Sequence, residues 1–98
     1  MIRHAAIFRL KHGAGSAEEA TFLEALAALS VIPGVQDFQI WRETSPKNDF
    51  DFAVSMTFVD DSTYQGYNDH PDHAAFVQGS WIPEVSAFME HDTVALTL

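Results

Sequence analysis

Cysteine is absent from this 98-residue chain, and basic side chains are few. The absence of cysteine excludes disulfides, thiol catalysis and thiolate metal sites. Five lysines and arginines stand against fourteen aspartates and glutamates, which gives a net charge of −9 at pH 7. A surface of this charge repels phosphate backbones and anionic lipid headgroups. We therefore expect neither a nucleic-acid partner nor a membrane partner.

Long apolar runs are also missing. Near the start of the chain only residues 5–8 form an uninterrupted apolar run, which is too short for the core of a signal peptide. No window approaches the length needed to cross a bilayer. The expectation is a cytoplasmic protein with a single domain over residues 1–98, since this length is close to the most common domain size.

Hydrophobic patterning predicts three strands and one long helix in the first sixty residues. Ile2–Leu10 alternates with a period of two and places His4 on its more apolar face. Ser16 and Glu19 form a capping box for a helix that runs to about Ser30. Two further strands are predicted over the ranges Val35–Glu43 and Phe50–Val59.

The stretch QGYNDHPDHAAF, residues 65–76, begins within a short helix whose start is capped within residues 60–62. Pro71 is tolerated only in the first turn of a new helix, so His70 is predicted as the N-cap of that helix. Helical spacing continues through Trp81 to Phe88, with a kink expected at Pro83. A last strand is predicted over residues 91–98.

The predicted order is strand, helix, strand, strand, broken helix, strand. This order is typical of an α+β fold of the ferredoxin-like type, with a four-stranded antiparallel sheet and helices on one face. The strands carry apolar residues on both faces, for example Ile7 and Phe8, and the helices of one short chain can cover only one. A homodimer that pairs the two uncovered faces is therefore predicted.

Two histidines and one tyrosine are the candidate catalytic residues. His73 falls near the start of its helix on the core-facing stripe, where burial and the helix dipole both favour a neutral imidazole. His4 faces the same side, and Tyr67 would add a hydroxyl. Five aromatic side chains are expected to line the pocket between them: Phe8, Phe22, Phe52, Phe76 and Trp81.

Two other roles for the histidines stay open at this point. His4 and His73 could simply make hydrogen bonds inside a filled core, as most lone histidines on apolar faces do. A metal could also be held by His70 and His73 with Asp69 or Asp72, but an N-cap and a core-facing side chain point in different directions. No metal site and no cofactor are predicted.

Four pieces spread over nearly the whole chain carry a family resemblance: IRHAAIFRLKHG, IPGV, DFAVSMTF and YNDHPDHAAF. In the last piece the pattern HPxHxxF is the most distinctive. On these pieces the sequence resembles the stress-responsive dimeric α/β barrel (Dabb) family. The resemblance implies a ferredoxin-like protomer that dimerises through its sheet into an α+β barrel.

The resemblance also implies site residues. The family includes a plant polyketide cyclase that forms olivetolic acid by an aldol condensation without a cofactor. Its active-site residues carry over to His4, Tyr67 and His73, with His73 at the position of the general base. A further tyrosine and histidine of that enzyme fall on Ala25 and Phe52, so the pocket here is expected to be more apolar.

The leading functional hypothesis is a homodimeric Dabb-type protein that binds a small, largely apolar ligand between sheet and helices. A carbonyl-bearing ligand and cofactor-free, cyclase-type proton transfer by His73 would fit the three candidate residues. Whether the protein is an enzyme is left open. One alternative is a non-catalytic structural or stress-protective barrel. A weaker alternative is haem or quinol monooxygenase-like activity, which only the fold supports.

Overall fold

Four strands and four helices are present in the computed structural model, which describes all residues from 1 to 98. No helix is long and apolar enough to cross a membrane. The strands are β1 Ile2–Leu10, β2 Gln36–Arg42, β3 Phe52–Phe58 and β4 Val85–Thr93. The helices are α1 Ala17–Ala27, followed by a 3₁₀ turn Ala28–Val31, α2 Asp61–Asn68, α3 Pro71–Phe76, followed by a π turn Val77–Trp81, and α4 Ile82–Glu84.

The strands form one antiparallel sheet in the order β2-β3-β1-β4. In the β1–β3 pair, Ile2 lies opposite Phe58 and Phe8 opposite Phe52, so the apolar alternations of both strands fall on the same face. The predicted ferredoxin-like α+β fold is confirmed.

The core lies between this inner face of the sheet and the helices. Phe8 of β1 contacts the rings of Phe22 and Phe52, with ring centroids 5.8 Å apart in both pairs. Leu26 of α1 and Met56 of β3 are buried in the same cluster. These contacts anchor α1 against the middle of the sheet and leave the space over β4 to the residues after α2.

Side chains cap the helices where the sequence predicts it, with one shift. The Ser16 hydroxyl accepts a hydrogen bond from the Glu19 N–H, 3.1 Å away, while the Glu19 carboxylate accepts from Gly15 rather than from Ser16. The Nδ1 atom of His70 accepts from the Asp72 N–H at 3.1 Å, so His70 is the N-cap of α3. The Nδ1 atom of His70 is therefore already used by a backbone N–H.

The last third of the chain departs from the prediction. Helical structure ends at Glu84, and β4 begins at Val85, six residues before the predicted strand. Val85–Thr93 forms its backbone hydrogen bonds with β1. This pairing is between residues far apart in sequence, so the spacing of apolar residues cannot reveal it. The irregularity expected at Pro83 lies just before it, where the Ile82 N–H reaches the Val77 carbonyl in the π turn. Residues 94–98 form no regular element.

The outer face of the sheet carries an apolar row that this chain does not cover. Trp41 lies beside Ala53, which lies beside Ile7, which lies beside Met89, so the row crosses all four strands. Trp41 is 50% exposed and Met89 57% exposed. The Trp41 indole N–H donates to the Ser55 hydroxyl at 2.9 Å, which ties the ring to the neighbouring strand β3.

Gly34, between the 3₁₀ turn and β2, is the position where we expect the sharpest backbone effect. Its φ is +93°, and an added Cβ would collide with the Thr63 methyl group of α2. Gly34→Ala should lower the free energy of unfolding by about 2 kcal/mol, from the left-handed backbone and the clash together. Urea unfolding measures this change.

Two further variants separate the causes. Gly13→Ala is the matched control, because its φ is not positive and no atom lies within 4 Å of its added Cβ. Thr63→Ser in the Gly34→Ala background removes the methyl group that collides with the added Cβ. It should therefore restore the part of the unfolding free energy lost to the clash, and not the part lost to the left-handed backbone. A Gly34→Ala variant as stable as Gly13→Ala would contradict this description of the loop.

Candidate functional site

A cavity of about 710 Å³ lies between the inner face of the sheet and the segment from α2 to α4. Thirteen of its nineteen lining residues are hydrophobic. Its volume is within the range of small-molecule sites. Its open side is at the edge strand β4, where Phe88, Glu90 and Asp92 line the cavity and are exposed.

The register of the sheet gives the cavity an apolar end and a polar end. Phe88 lies beside Phe8, Glu90 beside Ala6 and Asp92 beside His4. At the Phe88 end, the Trp81 ring packs edge-on against Phe88 with centroids 5.4 Å apart, and Phe76, Ile82 and Val85 complete the wall. At the Asp92 end, the wall consists of His4, Tyr64, Tyr67 and His73.

His4, Tyr64 and Asp92 form one hydrogen-bonded cluster. Asp92 Oδ1 lies 2.7 Å from His4 Nδ1, and the Tyr64 hydroxyl donates to the same carboxylate at 2.9 Å and 3.0 Å. The Tyr64 oxygen also lies 2.7 Å from His4 Nδ1. A carboxylate accepts only, so His4 donates its Nδ1 proton to this group. The other ring nitrogen of His4, Nε2, makes no hydrogen bond within the protein.

His73 is held in the same way, through its Nδ1 atom. Its Nδ1 donates to the Asn68 carbonyl at 3.1 Å, which leaves Nε2 with a lone pair. Burial lowers the pKa of His73 and the nearby His4 lowers it further, while the Asn68 carbonyl and the charge of Glu90 partly oppose this shift. His73 is therefore a neutral imidazole at neutral pH with an unprotonated nitrogen.

Tyr67 packs its ring and leaves its hydroxyl free. The ring is 2% exposed and lies against Phe58 and His73, with centroid distances of 5.1 Å and 4.5 Å. Its hydroxyl has no partner within the protein, yet no buried side-chain polar atom of the chain is unpaired. The hydroxyl therefore reaches the cavity space. Burial raises the pKa of Tyr67, so the group stays protonated.

The structure brings some of the predicted residues together and separates others. His4, Tyr67 and His73 line the same cavity, with Phe76 and Trp81. The prediction that Phe8, Phe22 and Phe52 line it is wrong, because these rings are 0%, 1% and 3% exposed in the closed core. The Phe8 ring packs against both of the others, between the sheet and α1.

Among the cavity residues that sequence reasoning missed, three bear on the chemistry: Tyr64, Glu90 and Asp92. Tyr64 precedes Tyr67 by one helical turn, a spacing that puts both on one face of α2. Glu90 and Asp92 follow Phe88 at intervals of two residues, a spacing that places all three on the same face of a strand. Extending the helix to Phe88 concealed that signal.

The remaining histidines do not join this site. His12 Nε2 lies 2.7 Å from Glu84 Oε1 outside the cavity, and His91 is exposed on β4. His70 and His73 use their Nδ1 atoms for different backbone partners. No group of three or more metal-ligating side chains is arranged to hold a metal ion.

Both tyrosines of the chain should resist ionisation. Burial raises the pKa of Tyr64, and the hydrogen bond to Asp92 raises it further; burial also raises the pKa of Tyr67. The unfolded chain loses these protons as the pH passes the ordinary value of 10.0, while the folded chain keeps them. The free energy of unfolding should therefore fall as the pH rises above that value.

Tyrosinate absorbance and circular dichroism, recorded together in an alkaline titration, test this expectation. Tyrosinate should form only as the protein unfolds, so the two signals change together. Tyr64→Phe and Tyr67→Phe each remove one of the two groups and assign the signal. A reversible tyrosinate titration near pH 10.0 with unchanged circular dichroism would contradict it.

Comparison with known proteins connects this geometry to one family. The sequence model of the family described as the stress-responsive A/B barrel domain (Dabb) matches residues 2–95. A Dabb family protein with a ferredoxin-like fold from Mesorhizobium loti is 50% identical, with a TM-score of 0.94, covering 98% of this chain and 97% of that chain.

Two more distant structures share the fold. A dimeric ferredoxin-like protein of unknown function from Thermobifida fusca is 24% identical, with a TM-score of 0.79 over 96% of this chain and 90% of that chain. Hydroxynitrile lyase from Passiflora edulis is 14% identical, with a TM-score of 0.86 over 99% and 95%. No curated protein matches the sequence.

Proposed function

Because the chain belongs to the stress-responsive A/B barrel (Dabb) family, we propose that it binds a small, largely apolar, carbonyl-bearing ligand in this cavity. We further propose that it moves a proton on that ligand without a cofactor. One observation carries the proposal. Three polar atoms without a protein partner, His4 Nε2, His73 Nε2 and the Tyr67 hydroxyl, belong to the wall of one aromatic-lined cavity.

The chemistry that these atoms support is proton abstraction next to a carbonyl. His73 Nε2 takes the proton, the C–H electron pair moves into the new C=C bond of an enolate, and the carbonyl π pair moves to oxygen. The Tyr67 hydroxyl, kept protonated by burial, donates to that oxygen as its negative charge develops. Return of the proton from His73 to carbon or oxygen completes the cycle, and a second carbonyl in the ligand would allow ring closure.

Benzylacetone, a small ketone with an aromatic tail, is a suitable probe. Proton NMR in deuterated water follows the exchange of its hydrogens next to the carbonyl. We expect exchange to be faster with the protein than with an equal concentration of free imidazole, and to saturate with ketone concentration. Binding without faster exchange would leave a binding protein and remove the proposed catalysis.

We also propose that the active form is a homodimer. The apolar row on the outer face, with Trp41 and Met89 half exposed, is the surface that a second copy would cover. Two copies related by a two-fold axis would pack these faces against each other and bury both rows. The dimeric description of the Thermobifida fusca protein, which shares the fold, is consistent with this proposal.

The two alternatives have less support. A purely structural barrel requires His4, Tyr67 and His73 to satisfy one another in a filled core, whereas they border a cavity of about 710 Å³. Haem does not fit the polar end, because its propionates would meet Glu90 and Asp92 in a wall without lysine or arginine. Quinol oxidation is supported by the fold alone.

A further inference from the structure

The charge of the cavity wall is entirely negative. Glu90 and Asp92 extend from the inner face of β4, and the wall contains no lysine and no arginine. A ligand carboxylate at the polar end would therefore find two like charges and no cationic partner. A ligand cation would find two opposite charges beside it.

The two carboxylates are not equivalent. Asp92 accepts hydrogen bonds from Tyr64 and His4, so its lone pairs are largely used within the protein. Glu90 makes no ion pair and no side-chain hydrogen bond, although it lines the same cavity. After burial, its charge is the second cause that raises the pKa of Tyr67, so its field reaches the hydroxyl at the polar end.

We propose that Glu90 sets the charge selectivity of the cavity, so that the natural ligand has a protonated amine at its polar end and ligands with a carboxylate there are rejected. This inference rests on the proposed function, because it assumes that the cavity binds a ligand. It narrows the ligand from any apolar carbonyl compound to a basic one.

The sheet also sets the spacing between the tail and the amine. Phe88 and Glu90 lie two residues apart on one face of β4, which corresponds to about 7 Å along the strand. Trp81 and Phe88 provide an aromatic wall for the tail at one end of that interval. An aromatic ring joined to an amine by a chain of about four carbons spans it.

Three probes with the same tail test the proposal: phenylbutylamine, phenylbutanol and phenylbutyrate. Calorimetry at about 0.15 M salt, where charges beyond roughly 8 Å are screened, measures their affinities. We expect the amine to bind about ten-fold more tightly than the carboxylate, with the alcohol between them. Glu90→Gln should reduce that ratio to about two-fold or three-fold, the remainder coming from Asp92.

Asp49→Asn is the matched control. It removes one negative charge at an exposed loop position outside the cavity, so it should leave the ratio unchanged. An amine-to-carboxylate ratio near one in the parent, or a ratio that Glu90→Gln does not reduce, overturns the charge selectivity. A reduction by Asp49→Asn as large as that by Glu90→Gln also overturns it, because overall charge would then explain the preference.

The alcohol separates this failure from failure of the proposed function. If the alcohol binds and the ratio is flat, ligand binding stands and only the charge selectivity is wrong. If none of the three probes binds, the proposed ligand-binding function is wrong, and the inference that rests on it is wrong too.

Discussion

His73→Gln is expected to slow the exchange of benzylacetone hydrogens by about a hundred-fold or more, while leaving benzylacetone bound. Glutamine keeps a side chain of similar size and can still donate to the Asn68 carbonyl, but it offers no basic nitrogen to the cavity. Burial lowers the pKa of His73, so the parent residue is already the free base at neutral pH. The loss should therefore appear in the exchange rate and not in the affinity.

The pH profile gives a second readout of the same group. Exchange by the parent should fall as the pH decreases through the lowered pKa of His73, below the ordinary value of 6.5, since protonation removes the base. His12→Gln is the matched control, because His12 lies beside Glu84 and does not line the cavity. Equal exchange rates for His73→Gln and the parent at equal binding would remove His73 from the mechanism.

Trp41→Glu is expected to convert the proposed dimer into a monomer at micromolar concentration. Trp41 is the largest side chain of the apolar row, and its indole is fixed by the hydrogen bond to Ser55. Truncation of an aromatic anchor weakens a protein interface by about a hundred-fold, and a charge placed there adds the cost of burying it. Light scattering coupled to size exclusion measures the mass directly.

Val31→Glu provides the control for the dimer. It also replaces an exposed apolar side chain by a charge, but at the end of the 3₁₀ turn instead of the outer face of the sheet. This variant should remain dimeric with the mass of the parent. A monomeric parent, or a Trp41→Glu variant of dimeric mass, would contradict the proposed interface.

Local patterns were sufficient for much of the fold. The alternation of Ile2–Leu10 predicted the bounds of β1 correctly, because the inner face of this strand is buried or partly buried at every second residue. Ser16 and His70 were identifiable as N-caps, because each cap depends on residues two or three positions away. Features of this kind are encoded within one turn of the chain.

The end of the chain could not be assigned in the same way. Val85 and Phe88 are three residues apart and fit a helix, but both belong to β4, which pairs with β1 more than seventy residues earlier. Backbone pairing with the central strand β1 decides the conformation there. The spacing of apolar residues carries no information on that pairing.

Only part of the candidate site could be predicted from the sequence, for the same reason. His73 and Tyr67 lie in one short motif, and the alternation of β1 places His4 on their side. Asp92, the partner of His4, lies 88 residues away in sequence and meets it only through the register of β4 on β1. The division of the aromatic residues between core and cavity depends on side-chain packing, which the sequence pattern does not contain.

In the proposed function, the cavity holds a small, largely apolar ketone with its carbonyl between His73 and Tyr67. Isotope-filtered nuclear Overhauser spectroscopy on the protein with unlabelled benzylacetone tests it most directly. We expect contacts from the phenyl ring to the Trp81 indole, and from the hydrogens next to the carbonyl to the His73 ring. Contacts confined to the outer face around Trp41, or no contacts at all at saturating ketone, would contradict the account.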